Sequence, residues 1–304
     1  MKVGVNLINF GPAASPDSLL RWTRLAEALG YHLVMISDHV AITPDVAAIY
    51  PAPFYDPFLT LAWLAGMTRD IELGTTVIIL PYRHPLQVAR LATNLDRLSG
   101  GRFILGVGVG WARQEFAALD VPFHDRGAMT DEYLTAITAT LRGEIASYEG
   151  RFVAFQDVST APAPLRASGL PIWVGGNGTA ARRRAVRFGG AWHPISIRVP
   201  WIRDEGLPHL RTLAAQAGVP VPPLCPRIKL RLTDEPLDDS RLAGEGSLDQ
   251  VRADLEALAA LGVDYVLLDT YHGDPEATRD HESAWSMLAT LAERVLDLPN
   301  RRLR

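Results

Sequence analysis

The residues with the most chemistry to offer sit where short apolar runs end. Asn6 lies near the end of Val3–Leu7, and Asp38-His39 follows Leu33–Ile36. Thr75-Thr76-Val77 opens the run to Leu80, and Gly108-Val109-Gly110-Trp111 follows Phe103–Val107. Gly175-Gly176-Asn177-Gly178-Thr179 follows Ile172–Val174, and Trp192-His193 lies in Ala191–Ile195. An imidazole beside a carboxylate changes charge near neutral pH and suits proton transfer. Glycines that lead into a helix let backbone N–H groups approach an anion at its N-terminus. The set holds no HExxH, no acids at metal spacing and no lysine placed for a Schiff base, which disfavours metal hydrolysis and aldolase chemistry. Glycine, threonine and aromatic residues suit instead a flat cofactor held by backbone and stacking.

Each residue also has a plainer reading. His39 is either a functional group or a hydrogen-bonded structural histidine. Gly108 and Gly110 either meet a ligand or end a strand tightly. Trp111 and Trp192 are either pocket walls or core. Arg182-Arg183-Arg184 reads as a solvated helix face, and Arg83-His84-Pro85 as a loop that starts a helix.

These strand ends must be brought together. Strands are expected at Val3–Leu7, Leu33–Ile36, Thr75–Leu80, Phe103–Val107, Ile172–Val174, Ala191–Ile195, Arg227–Leu232 and Val263–Asp269, with helices between them. Asp56-Pro57 starts one helix, and Ser247 with Gln250 forms a capping box for another. The alternation points to an α/β fold, a single (β/α)8 TIM barrel over residues 1–304. Residues 112–170 break the pattern and read as an insertion after the fourth strand, lying over the carboxyl-end mouth. An open sheet is the rival, but the first βα turn lacks GxGxxG. The chain has 304 residues, 48% hydrophobic and 21% charged, with a net charge of −4. That balance gives no reason to expect a nucleic-acid partner. Cys225 is the sole cysteine, so no intramolecular disulfide forms. No run is long enough to span a bilayer and no signal peptide is evident, so a cytoplasmic location is expected.

Six stretches in register resemble the bacterial luciferase-like monooxygenase superfamily, and most closely its coenzyme F420-dependent oxidoreductase branch. They are Ser37-Asp38-His39-Val40, Gly74-Thr75-Thr76-Val77 with Pro81-Tyr82-Arg83-His84-Pro85, Asp96-Arg97-Leu98-Ser99-Gly100-Gly101-Arg102, Gly106-Val107-Gly108-Val109-Gly110-Trp111, Pro171-Ile172-Trp173-Val174-Gly175-Gly176, and Trp192-His193-Pro194. The resemblance covers roughly residues 1–200.

It implies that Asp38 and His39 face a flavin-type ring as the catalytic pair, with His39 the acid or base. It implies a non-prolyl cis peptide at Thr76-Val77 behind the ring, next to Thr75. Gly108-Val109 would meet the ring's polar edge, and Gly175, Gly176, Asn177, Gly178 and Thr179 would cradle a phosphate. Asn6, Trp111 and Trp192 would line the substrate pocket; no metal is implied. Trp111 stands where sugar-phosphate dehydrogenases of the branch carry a glutamate, so that activity is not carried over. The implied function is hydride transfer between coenzyme F420 and an organic substrate. The alternatives are an FMN-dependent two-component monooxygenase and a non-catalytic flavin-binding relative. Implied partners are a small-molecule substrate, a reductase or F420-reducing enzyme that recycles the cofactor, and a second copy of the chain. The helix 57–67 is apolar nearly all round and needs a second cover, either that copy or the loop 41–56.

Overall fold

The computed structural model of the chain describes residues 1–141 and 143–304. Strands β1 (Lys2–Asn6), β2 (Leu33–Ile36), β3 (Glu72–Thr75), β4 (Phe103–Gly108), β5 (Ile172–Gly175), β6 (Ala191–His193), β7 (Arg227–Lys229) and β8 (Tyr265–Asp269) run parallel. Their order is β7-β8-β1-β2-β3-β4-β5-β6, and the parallel bridges Trp192↔Leu224 and Ile195↔Arg227 bring the two edges together. Helices α1 (Pro16–Leu29), α2 (Pro57–Met67), α3 (Pro85–Leu98), α4 (Arg126–Thr140), α5 (Thr179–Phe188), α6 (Leu207–Ala217), α7 (Leu248–Ala260) and α8 (Glu282–Arg294) form the outer layer. This is a (β/α)8 barrel.

Side chains alternate between two cores, as strand geometry requires. Val5, Val34, Ile36, Leu73, Leu105, Val107 and Val174 pack outward with the helices. Leu33, Met35, Ile104, Trp173, Ala191, Cys225 and Leu267 form a separate inner cluster. The inner layer mixes large and small residues: a Cβ on Gly74 would lie 2.6 Å from Met35 Cε. Expected helix starts are present: Asp56 accepts from Leu59 N–H, and Ser247 and Gln250 form a reciprocal box.

Four expectations are corrected. The run Thr75–Leu80 is no continuous strand: β3 ends at Thr75, the chain bulges at Thr76-Val77, and Ile78–Ile79 pairs with β4 before a 3-10 turn, Leu80–Tyr82. Ala191–Ile195 pairs regularly only to His193, with Ile195 bridged to Arg227. Arg227–Leu232 splits into β7 and a short piece, Arg231–Leu232, which pairs with Glu245–Gly246. The stretch 112–170 does not lie over the mouth as a whole. Its helix α4 takes an ordinary place in the outer ring, tied to α5 by Arg184 and Asp131. A hairpin, Ala146–Glu149 with Ala154–Val158, packs on α4 through Val153 against Met129, Tyr133 and Ala136. The short helix Arg113–Ala118 remains near the mouth.

One guanidinium secures the approach to β3. Arg102 donates to the carbonyls of Ala65 (2.9 Å), Thr68 (3.3 Å) and Ile71 (2.8 Å), and to that of Ser99 (2.7 Å). It thereby satisfies carbonyls left open at the end of α2. On the other side Glu27 accepts the N–H groups of Arg69, Asp70 and Ile71. Arg102→Leu should lower unfolding free energy by about 2–4 kcal/mol, read from the urea midpoint. Arg102→Lys should restore only part, since one ammonium cannot span the same carbonyls.

Candidate active site

Glu115 is the organising acid of the barrel mouth. It is fully buried, and His39 Nδ1 lies 2.6 Å from its Oε2. Its Oε1 accepts the N–H groups of Val40 (2.6 Å) and Ala41 (3.0 Å), and the Tyr82 hydroxyl donates to Oε2 at 3.0 Å. Burial pushes the carboxyl up, but the His39 bond and the two backbone N–H groups outweigh it and hold Glu115 below its ordinary value. An ionised carboxylate only accepts, so Nδ1 carries the hydrogen and Nε2 of the neutral ring is an acceptor. His39 lines the pocket at the mouth.

Asp38 is braced. Arg83 donates to it twice, at 2.6 and 2.8 Å, and the Ile79 N–H donates at 2.9 Å. Burial works against the Arg83 charge, and the Asp38 carboxylate more than offsets it, so the guanidinium is held above its ordinary value. Arg83 also reaches Asp56 at 3.2 Å, linking the start of α2. Burial raises the Asp38 carboxyl above its ordinary value, with Arg83 and the Ile79 N–H opposing, and these bonds hold Asp38 in place beside His39.

The floor is a second polar cluster. Asp269, fully buried, accepts from Arg227 Nη2 (2.9 Å), Lys229 Nζ (2.8 Å) and Asn6 Nδ2 (3.0 Å). Arg227 Nη1 also donates to the Thr76 carbonyl at 3.0 Å. His193 Nδ1 faces the Cys225 carbonyl at 2.5 Å and must donate to it; Nε2 then accepts from the Thr76 hydroxyl at 2.9 Å.

Between these clusters the Thr76–Val77 peptide is cis. The neighbouring glycines make room for this bulge. A Cβ on Gly106 would lie 1.8 Å from the Thr75 carbonyl oxygen; one on Gly108 or Gly175 would lie 2.5 or 2.9 Å from the Val77 methyls. Above lies a pocket of about 250 Å³ lined by Ser37, Asp38, His39, Tyr50, Thr76, Val77, Ile79, Gly108, Val109, Gly110, Trp111, Gly175, Gly176, His193, Ile195 and Arg227. Beside it α5 begins at Thr179, after Gly178 at the N-cap.

The structure therefore gathers His39, Asp38, Thr76, Val77, Gly108, Val109, Gly175, Gly176 and Trp111 on one cavity. Four expected residues do other work. Asn6 is buried beneath, on Asp269. Thr75 Oγ1 stitches β3 to Gly106 by donating to its carbonyl and accepting its N–H. Both ends of the Asn177 amide hold Ile195, its N–H₂ on the carbonyl and its oxygen on the N–H. Trp192 faces outward: its ring packs on Trp201, and its Nε1 donates to the Gly176 carbonyl. Sequence reasoning placed His193 at its strand end and gave Arg83 to the loop before α3 without assigning either to the site, and it missed Glu115, Tyr50 and Arg227 there. Alternation would have found His193, because an outward Trp192 turns its neighbour inward. A charged residue opening a strand, as Arg227 does, was a weaker signal. Nothing local marked Tyr50.

Burial lowers His193 to about 4 from an ordinary 6.5. As pH falls below 6.5, the unfolded chain takes up a proton that the folded chain refuses until about 4, so stability is lost across that window. Asp269 is opposed by burial but held down to about 2 by Arg227 and Lys229, which extends the loss to lower pH. Denaturant titrations should show about 2 kcal/mol less stability at pH 5 than at pH 7 from His193 alone. His193→Gln should flatten the slope by that amount, leaving the same-signed contributions of His32, His272 and His281. An unchanged slope would place His193 in contact with solvent.

Comparison with known proteins places this geometry. An uncharacterised protein of Mycobacterium tuberculosis is 32% identical over 182 residues, which are 56% of this chain and 62% of that protein. The chain thus aligns with less than two thirds of that relative. The 4-hydroxyprotoasukamycin monooxygenase of Streptomyces nodosus subsp. asukaensis is 36% identical over 207 residues, 64% of this chain and 53% of that one. Two solved structures share the fold. A monooxygenase of Streptomyces bottropensis superposes with a TM-score of 0.76 at 24% identity, covering 95% of this chain and 98% of that one. The coenzyme F420-dependent tetrahydromethanopterin reductase of Methanopyrus kandleri superposes at 0.76 with 18% identity, covering 95% and 97%. The luciferase-like monooxygenase family matches residues 1–233, and the chain belongs to that family.

Proposed function

We propose that the chain is an oxidoreductase that binds coenzyme F420 at the barrel mouth and passes a hydride between it and an organic substrate. The observation that supports this most is the held imidazole: Glu115 orients His39 so that an acceptor nitrogen faces a cavity beside the Val77 bulge. The residues fit a flat ring with an anionic tail. Val77 and the backbone at Gly108 and Val109 offer a bed, and Gly176 has φ of +118° just before α5. A Cβ on Gly178 would meet nothing within 4 Å, so the space before the helix N-terminus is open. When bound, the deazaflavin supplies the hydride acceptor or donor carbon. Of the chain's own residues, His39 Nε2 holds or releases the substrate proton. Glu115 fixes the tautomer, and Asp38 with Arg83 fixes the loop that carries His39. Turnover would need a partner enzyme that recycles the cofactor.

A second reading is FMN-dependent oxygenation with a separate reductase. The match to 4-hydroxyprotoasukamycin monooxygenase favours it, as does that to the oxygenase component of a flavin-dependent trigonelline monooxygenase from Acinetobacter baylyi. Titration with F420 and with FMN, side by side, separates the readings. The F420 reading expects tighter F420 binding; equal or tighter FMN binding overturns it. Gly178→Val should keep the fold and weaken cofactor binding about tenfold or more, ~1.4 kcal/mol. Unchanged affinity would remove α5 from the cofactor site.

The same proposal includes a homodimer through α2, with the mouth open away from it. Loop 41–56 does not cover that helix. Its aromatic residues turn to the mouth, where Phe54 stacks on Phe10 and Tyr50 packs by His39. Leu59 is left 74% and Met67 46% exposed, on one outer stripe with Ala62, Trp63 and Gly66. Sedimentation at low micromolar concentration should give the two-chain mass, and Leu59→Asp the one-chain mass. A one-chain mass for the unaltered protein would refute the dimer.

A further inference from the structure

The mouth carries an aromatic wall that the reading above leaves without a task. The Tyr50 ring lies 5.3 Å from His39, with the two planes tilted by 32°. Trp111 stands across from both, 5.8 Å from His39 at 82° and 6.3 Å from Tyr50 at 54°. Tyr50 is backed by Phe10 at 5.1 Å and Tyr271 at 5.8 Å, and the Tyr271 hydroxyl donates to the Ile49 carbonyl, which fixes the loop. The wall is therefore built. Its outer edge is open, with Trp111 43% and Val40 46% exposed.

Two polar atoms in this wall are free. Among the described residues neither His39 Nε2 nor the Tyr50 hydroxyl has a hydrogen-bond partner, and neither is among the fully buried unpaired atoms. Both residues line the pocket, so these atoms reach its space. Burial raises Tyr50 above its ordinary value, with Arg227 opposing and Asp269 adding, so the phenol stays a donor. The pocket then offers one acceptor and one donor on two rings whose centroids lie 5.3 Å apart. A substrate hydroxyl answers both, by donating to Nε2 and accepting from Tyr50; a ketone answers one. Charge narrows the class further. Asp38 is paired with Arg83, and Arg227 with Asp269, so no lining cation is left for a phosphate or carboxylate.

We propose that the pocket takes a neutral, flat-ringed substrate that bears a hydroxyl group. Its ring lies against Trp111 and Tyr50, and its oxygen is held between His39 Nε2 and the Tyr50 hydroxyl. The proposal rests on the oxidoreductase reading, but its test stands apart from it.

The test is calorimetric titration of the protein with β-naphthol, β-naphthyl methyl ether and β-naphthyl phosphate, without cofactor and loaded with whichever of F420 and FMN binds. β-Naphthol should bind about tenfold more tightly than its ether in both series, and in the loaded protein, where the α5 end is filled, the phosphate should bind more weakly than either. Tyr50→Phe keeps the ring and should weaken β-naphthol about three- to tenfold while leaving the ether unchanged. Trp111→Ala should weaken β-naphthol and the ether alike. Equal binding of β-naphthol and ether, an equal loss of both in Tyr50→Phe, or tighter binding of the phosphate than of β-naphthol by the loaded protein would overturn the proposal. If neither cofactor binds, the oxidoreductase reading fails, and the cofactor-free series still decides this one.

Discussion

The mouth of this barrel depends on one buried carboxylate. Glu115 takes four donors from two other parts of the chain: His39, Val40 and Ala41 after β2, and Tyr82 after β3. It stands itself on the short helix after β4. A buried acid left without donors would protonate or unfold its surroundings. Supplied with four, it ties three consecutive βα connections into one unit. The orientation of the imidazole is then a property of the fold rather than of the ligand.

A second tie runs beside it. Asp38 joins the end of β2 to Ile79 and Arg83, and through Arg83 to Asp56. Val77 lies between these ties and the glycines of β4 and β5. Polar contacts set the loops, and close packing sets the bed between them. The floor pair Arg227 and Asp269 carries the arrangement down into the barrel, where Arg227 holds the Thr76 carbonyl. Each of these groups is satisfied by another part of the same site, so the cavity has its shape without help from a bound molecule.

The barrel was legible because its signals are local and repeated: apolar runs of strand length, capped helices and glycines at the stops. Asp56-Pro57 and the Ser247–Gln250 box are where the sequence puts them. The cavity was legible at strand ends, through His39, Val77, Gly108 and Trp111. What the sequence hid was pairing over distance. Glu115 reads as an ordinary helix acid until His39, 76 residues away, is beside it. Asp38 shows no partner in the sequence until Arg83, 45 residues on, is seen to bind it. Trp192 and His193 were separated wrongly because the outward face of a short strand is decided by the helix that covers it. The bulge after Thr75 escaped the strand reading for a similar reason: β-branched composition marks extended chain but not a break within it.

The placement of Glu115 has a consequence for how this molecule can vary. The acid lies in the first helical turn after Trp111, and among the described residues no side chain between Trp111 and Gly175 lines the cavity. The connection from β4 to β5 is therefore divided into two parts. Its opening turn is bound to the imidazole and cannot drift without unsettling three neighbouring loops. Its remainder divides again: helix α4 packs on the outer ring and on the turn Leu80–Tyr82, whereas the hairpin packs on the back of α4. Length and composition of the hairpin are free to change while the geometry at Glu115 and His39 stays constant, so the scaffold separates what it must inherit from what it can alter.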